Sequence, residues 1–145
     1  MRGRQGVVRS YVALLVCWMA AVALAHANPS LEPQVAEIER LAISEHWRES
    51  AARIEALAGQ MGVLSAQQRQ RVEFVRLRNL GISGAPRDAI DGFEALFREP
   101  IPAPLRVRAY ATAISIAANV EDWPLAFRWL SEALAFLPDA PGESA

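Results

Sequence analysis

Lysine is absent from the chain; all 15 basic residues are arginine. A phosphate-cradling loop of the G-x-x-x-x-G-K-[ST] kind therefore cannot be completed. Cysteine occurs once, at Cys17, so no intrachain disulfide can staple the fold. Histidine occurs twice, at His26 and His46, and His46 has no cysteine or second histidine near it in sequence to make a zinc site. It reads instead as a solvated or capping residue. The serines form no G-x-S-x-G elbow. A formal net charge of -1 gives no basic surface to argue for nucleic acid. Sustained period-2 alternation is also missing, which removes the usual sign of a half-buried strand. These absences predict a non-enzyme with no catalytic residue, no cofactor and no metal site.

What is present begins with a leader. Arg2, Arg4 and Arg9 precede the unbroken apolar run Tyr11–Ala25, which ends in the small-residue site Ala25-His26-Ala27. This is the three-part pattern of a secretory signal peptide. The run is short against the roughly 20 apolar residues of a membrane span. Residues 1–27 are therefore expected to be a cleaved leader and the product periplasmic. The alternative is an inner-membrane anchor through the same segment, the one expected membrane contact. Cleavage after Ala27 would remove Cys17 and three arginines, leaving 12 arginines against all 16 acids. Stability must then come from helix packing.

From residue 28 to 138 the pattern is helical, with residues 139–145 expected to be a disordered tail. Leu31, Val35, Ile38 and Leu41/Ala42 recur at helical spacing to about residue 43, with Ser30 as N-cap and Pro33 in the first turn. A second helix is expected from about His46 to Gln60, with Trp47, Ala51, Ile54 and Leu57 on one side and Gly59 and Gly62 at its end. Ser65 to Gln68 is a capping box of the S-x-x-Q form that opens a third helix through Val72, Val75 and Asn79. Pro86 starts a fourth at the first helical position, with Ala89, Ile90, Phe93, Leu96 and Phe97 inward. The loop Arg98–Pro104 cannot be helical. Pro104 starts a fifth helix through Val107, Ala111, Ile114 and Ala118, and Pro124 a sixth.

The even-numbered helices align with one another. Segments beginning at Glu45, Gly84 and Glu121 bring Trp47, Pro86 and Trp123 to one position. They bring the small residues Ser50, Ala89 and Ala126 to a second. Ile54, Phe93 and Leu130 share a third, and Leu57, Leu96 and Ala133 a fourth. Helix-pair repeats have periods of about 34 residues that loops lengthen. This spacing resembles the tetratricopeptide repeat, with Glu121, Trp123, Ala126, Leu130, Ala133 and Pro138 the best-matching run. The small residue that the motif wants at the eighth position of each first helix is replaced by Leu77 and Ile114. The resemblance implies an all-α tetratricopeptide-like solenoid of about three helix pairs.

A narrower resemblance spans Leu64 to Leu134. Leu64-Ser65, Gln68-Arg69, Gly81 to Gly84, Pro102 to Arg106 and Asn119 to Trp123 look like the periplasmic repeat region of membrane-bound GGDEF proteins (diguanylate cyclases) of xanthomonad-like gammaproteobacteria. That resemblance implies a sensor or input module in signal transduction. The chain contains no G-G-D/E-E-F loop and no second hydrophobic span, so cyclase activity is not implied for it. The tripeptide Glu-Ala-Leu, the nickname of a phosphodiesterase family, occurs at Glu55, Glu94 and Glu132. Each copy falls within a repeat helix, in a chain far below the roughly 250 residues of a TIM-type barrel. Arg69, Arg71, Arg76 and Arg78 read as a solvated face. Glu121-Asp122 reads as a turn and helix start, where acids favour the N-terminus.

The last helix is apolar nearly all round. An apolar stripe normally covers about 100°, and terminal repeats need a polar outer face. Phe127, Trp129, Leu130, Leu134, Phe136 and Leu137 are the expected interaction face, and Trp47, Ser50, Ile54, Leu57, Ala89, Phe93, Leu96, Trp123, Ala126 and Ala133 the repeat-packing set. Leaving two or three such side chains wet forgoes about 1.5–3 kcal/mol each. The expected occupants are further C-terminal repeats, a second copy as a homodimer, or a protein or peptide partner. With a second copy or a partner, the chain would be a stand-alone adaptor that scaffolds an envelope complex. Edman sequencing of the exported product should read from Asn28; a product that retains Met1 would make the leader an anchor.

Overall fold

The computed structural model describes residues 31–137. The leader at 1–27, Ser30, Pro138 and the tail at 139–145 lie outside the described residues. Within them the fold is all-helical, six α-helices joined in three antiparallel pairs: α1 Glu32–Ile43 with α2 Trp47–Leu57, α3 Ala66–Ser83 with α4 Pro86–Phe97, and α5 Ala103–Asn119 with α6 Trp123–Phe136.

Local chemistry sets the helix boundaries. α1 starts after Leu31 at the N-cap, with Pro33 in its first turn. α2 stops at Leu57, short of the expected Gln60, and tightens into a 3-10 helix, Ala58–Val63. Gly59 and Gly62 lie in that segment, where low helix propensity no longer holds the wider turn. Ser65 caps α3 through the full reciprocal box: Gln68 N donates to Ser65 Oγ at 3.1 Å, and Ser65 N donates to Gln68 Oε1 at 3.0 Å. α4 opens with Pro86 after Ala85. α5 begins one residue before Pro104. Asp122 caps α6, its carboxylate accepting from Leu125 N at 3.2 Å.

The three turns inside the pairs are equivalent. Each passes through one left-handed residue: Glu45 (φ 63), Gly84 (φ 99) and Glu121 (φ 62). The following N–H reaches back five residues in each case, His46 to Leu41 O, Ala85 to Leu80 O and Asp122 to Ala117 O, at 2.9–3.0 Å. This is the helix-ending motif in which a left-handed residue satisfies orphan carbonyls. The middle turn uses the residue type without a Cβ penalty; the outer two place glutamate there.

The pairs stack in chain order. α3 packs on α1 and α2 behind it and on α4 and α5 ahead; α5 packs on α3, α4 and α6. Most of the core lies at these crossings: Val35, Ile38, Leu57, Val72, Val75, Leu77, Ala89, Phe93, Ala109, Ala113 and Trp129 are all buried. α5 corrects one expectation. Its buried face is Leu105, Ala109, Tyr110, Ala113, Ile116 and Ala117, whereas Val107 and Ala111 are exposed. Both stripes have helical spacing in an alanine-rich sequence, and the large side chains Tyr110 and Ile116 fixed which one turned inward.

Leu77, which stands where a small residue was expected, is fully buried. Room for it comes from the facing helix: a Cβ on Gly92 of α4 would overlap the Leu77 methyl groups. Gly81 of α3 likewise accommodates Ile116 of α5. The close approach is preserved with the small residue moved to the partner helix. Gly92→Ala should therefore destabilise the fold despite alanine's better helix propensity. Overpacking costs about 1–3 kcal/mol against roughly 1 kcal/mol gained from propensity. Urea denaturation followed by circular dichroism would show it as a lower midpoint, and a raised midpoint would show that Leu77 moves aside freely.

Candidate interaction surface

The expected interaction face on α6 divides in two. Phe127, Leu130, Leu134 and Leu137 are exposed, between 41% and 63%. Trp129 is not part of that face. It is 1% exposed, with its ring edge against Phe97 at 5.8 Å between centroids, and it belongs to the core because it points back between α4 and α5. Phe136 is half-buried beneath the Arg106 guanidinium, 5.5 Å from its centroid. Trp123, expected to pack within the repeat, is instead 53% exposed. It joins the open face, so that Trp123, Phe127, Leu130, Leu134 and Leu137 recur at alternating spacings of four and three residues. Such spacing places them in one seam along the helix, the arrangement of coiled-coil contact positions.

The second pair shows what normally lies on that seam. Phe97 of α4 occupies the position that Leu134 holds in α6, and Tyr110 of the next helix stacks on it with centroids 4.1 Å apart. Phe93, equivalent to Leu130, is fully buried. The shared pattern therefore extends to residues made for contact with a following helix. The small residues Ser50, Ala89 and Ala126 are buried in all three pairs. Leu57 and Leu96 are buried, Ile54 and Ala133 half-buried. Of the expected packing residues, Trp47 is half-buried like Ile54 and Ala133, and Trp123 is the one exposed.

A second surface is polar, formed by α1, α3 and α5. Arg71 was expected on a solvated face with Arg69, Arg76 and Arg78. The structure corrects this for Arg71 and Arg78, which are half-buried, whereas Arg69 and Arg76 are exposed. Arg71 bridges Glu39 at 2.6 Å and Glu32 at 2.5 Å. Arg78 donates to Ala42 O at 2.6 Å, closing the end of α1, and Arg69 donates to Leu64 O at 2.7 Å. Arg76 stays on its own helix, paired with Glu73 at 2.7 Å. Arg108 lies 3.7 Å from Glu39 and 5.0 Å from the Phe74 ring centroid. Glu39 thus ties the first pair to both others. Hydrogen bonds from Arg71 and Gln68 hold the Glu32 carboxyl below its ordinary range. Burial, with a hydrogen bond to Glu132 at 3.1 Å, pushes the Tyr110 hydroxyl up.

Several concavities accompany these surfaces, among them two on α3. A cleft of about 220 Å³ lies between α2 and α3, lined by Trp47, Ile54, Asn79 and Leu80. At its floor Ser50 Oγ donates to Ile38 O at 3.1 Å and accepts from Asn79 Nδ2 at 3.2 Å. A wider groove of about 570 Å³ between α3 and α5 is lined by Arg78, Thr112, Ser115 and Asn119. His46 is exposed at the start of α2, its Nδ1 3.2 Å from Ser44 Oγ. Among the described residues no three His, Cys, Asp or Glu side chains are placed to hold a metal ion, and no helix is long and apolar enough to cross a membrane. No protein-family model, curated protein or solved structure matches the chain.

The buried and the exposed aromatic side chains of α6, Trp129 and Phe127, should separate in stability experiments. Trp129→Ala should cost about 3–5 kcal/mol, the usual range for emptying a buried aromatic site. At concentrations low enough to keep the chain monomeric, Phe127→Ser should cost under about 1 kcal/mol, as surface changes do. Thermal melts of both variants would check this, and equal losses would place Phe127 within a packed core.

Proposed function

We propose that this chain is a non-catalytic, tetratricopeptide-like helical-repeat protein that acts in the periplasm by binding other protein surfaces. Three observations support the repeat reading: the shared left-handed turns, the buried small residue in every pair, and helix packing that runs mainly between successive pairs, alongside the Glu39–Arg108 contact from the first pair to the third. The single observation that carries the interaction reading is the open seam Trp123–Leu137. It has the residue types that the second pair covers with a following helix. Monomeric soluble proteins seldom leave a contiguous apolar patch of this kind without a partner.

The role that fits best is a sensor or input region of a diguanylate-cyclase-type signalling protein. The resemblance of residues 64–134 to such regions supports it, and a seam ready for another helix suits a module that transmits through position. A stand-alone adaptor for an envelope complex uses the same seam and is favoured by its uncharged, closely spaced character, which suits a permanent contact.

Production of the chain in its native host separates these roles. Signal input predicts that cellular cyclic-di-GMP changes when the wild-type chain is produced and returns to baseline with Phe127→Ser/Leu134→Ser. An unchanged level with both chains would reject signal input. Loss of an envelope complex in the double variant alone would then point to the adaptor.

A further inference from the structure

We infer that the α6 seam pairs with the same seam of a second copy of this chain, the two helices antiparallel and Leu130 next to the twofold axis. This rests on the reading of that face as a docking surface. The seam is close to symmetric about Leu130: Trp123 and Leu137 lie seven residues to either side, and Phe127 and Leu134 lie three and four away. Antiparallel pairing sets Trp123 beside Leu137 of the second copy and Phe127 beside Leu134, a large ring against a smaller aliphatic chain in each row outside the central one, where Leu130 meets Leu130 of the second copy. Facing rows of unlike size interdigitate without voids.

Charge permits the self-contact. α6 carries two charged residues, Arg128 and Glu132. Arg128 is paired with Glu94 of α4, and Glu132 accepts from Tyr110 of α5 at 3.1 Å. Both are turned toward their own chain. The residues flanking the seam within α6 are Pro124, Ala126, Ser131 and Ala133, so the middle of the contact meets no like-charge repulsion and short side chains let the helices come close.

The opposite end of the array argues against head-to-tail stacking. If one copy's α6 were to accept another's α1, it would meet the face that carries the Glu37–Arg40 ion pair and Ser44. Ile43, at 72%, is the one large apolar side chain that α1 exposes. An apolar seam against an ion pair would strip water from charges for little return. A head-to-tail contact would also leave one apolar seam open at the end of every chain of copies. A contact made by the same patch on both copies closes on itself and leaves none.

Sedimentation equilibrium on the full chain tests this, with circular dichroism to confirm folding. The N-terminal apolar run is common to all variants, so differences report on α6. The wild type and Ile43→Ser should have twice the monomer mass. Phe127→Ser and Leu130→Glu should have the monomer mass. In a Cys17→Ser background, Leu130→Cys should oxidise to a disulfide-linked dimer while Leu137→Cys does not. Cross-linking at 137, with or without 130, would overturn the antiparallel arrangement. A dimer that persists in Leu130→Glu would overturn the seam as its site. A folded wild-type monomer that takes up an apolar dye, with uptake lost in Phe127→Ser, would overturn self-pairing while the docking reading stands. A folded monomer without uptake would overturn both.

Discussion

A pair of antiparallel helices has more apolar surface than the pair can hide within itself. Every other feature of this structure follows from that constraint. α1 and α2 hide one side of each helix against the other, and the remainder is covered by α3; α3 and α4 are completed in the same way by α5. The requirement passes along the chain and is left unmet at α6 among the described residues. The seam Trp123–Leu137 thus exposes, among the described residues, side chains at positions equivalent to the buried Phe93 and half-buried Phe97 of α4.

Close approach is what lets each pair satisfy its neighbour, and the chain obtains it by two routes. In the second helix of each pair a buried Ser50, Ala89 or Ala126 leaves room at the crossing. In the middle of the array the large Leu77 is accommodated by Gly92, and Ile116 by Gly81. Close-packed interiors respond to summed volume across a contact, so the small residue can sit on either helix. Polar groups are handled with equal economy. The Ser50 hydroxyl is fully buried but both donates and accepts, and Glu39 gathers Arg71 and Arg108 on the opposite surface.

The helices themselves were largely legible. Proline at the start of α4, the Ser65–Gln68 box and the Gly84 turn act within a few residues of themselves, and they work in the structure as their chemistry dictates. The alignment at Glu45, Gly84 and Glu121 found three residues that share one left-handed backbone state, because the turn that reverses the chain imposes it. Direction was harder to read. Trp129 and Leu130 are adjacent and both apolar, and sequence assigned both to one face. The structure buries the first and exposes the second. The four-three spacing through Trp123 was the available signal that would have sorted them. Arg71 looked like one member of a solvated run because its partners, Glu32 and Glu39, are more than thirty residues away.

Sequence by itself determined the helices, the caps of α3 and α6 though not the Leu31 start of α1, the three equivalent turns and the excess of apolar side chains near Leu130. All of these depend on interactions between residues a few positions apart, where spacing and residue type specify the geometry. Only the tertiary structure decided which stripe of α5 is buried, that Gly92 makes room for Leu77, that Arg71 is an inter-helix bridge, and that Trp123 rather than Trp129 lies on the open seam. Those outcomes depend on how each helix is rotated against its neighbours. That rotation is set by the combined volumes and charges of residues far apart in the chain, which no local spacing records.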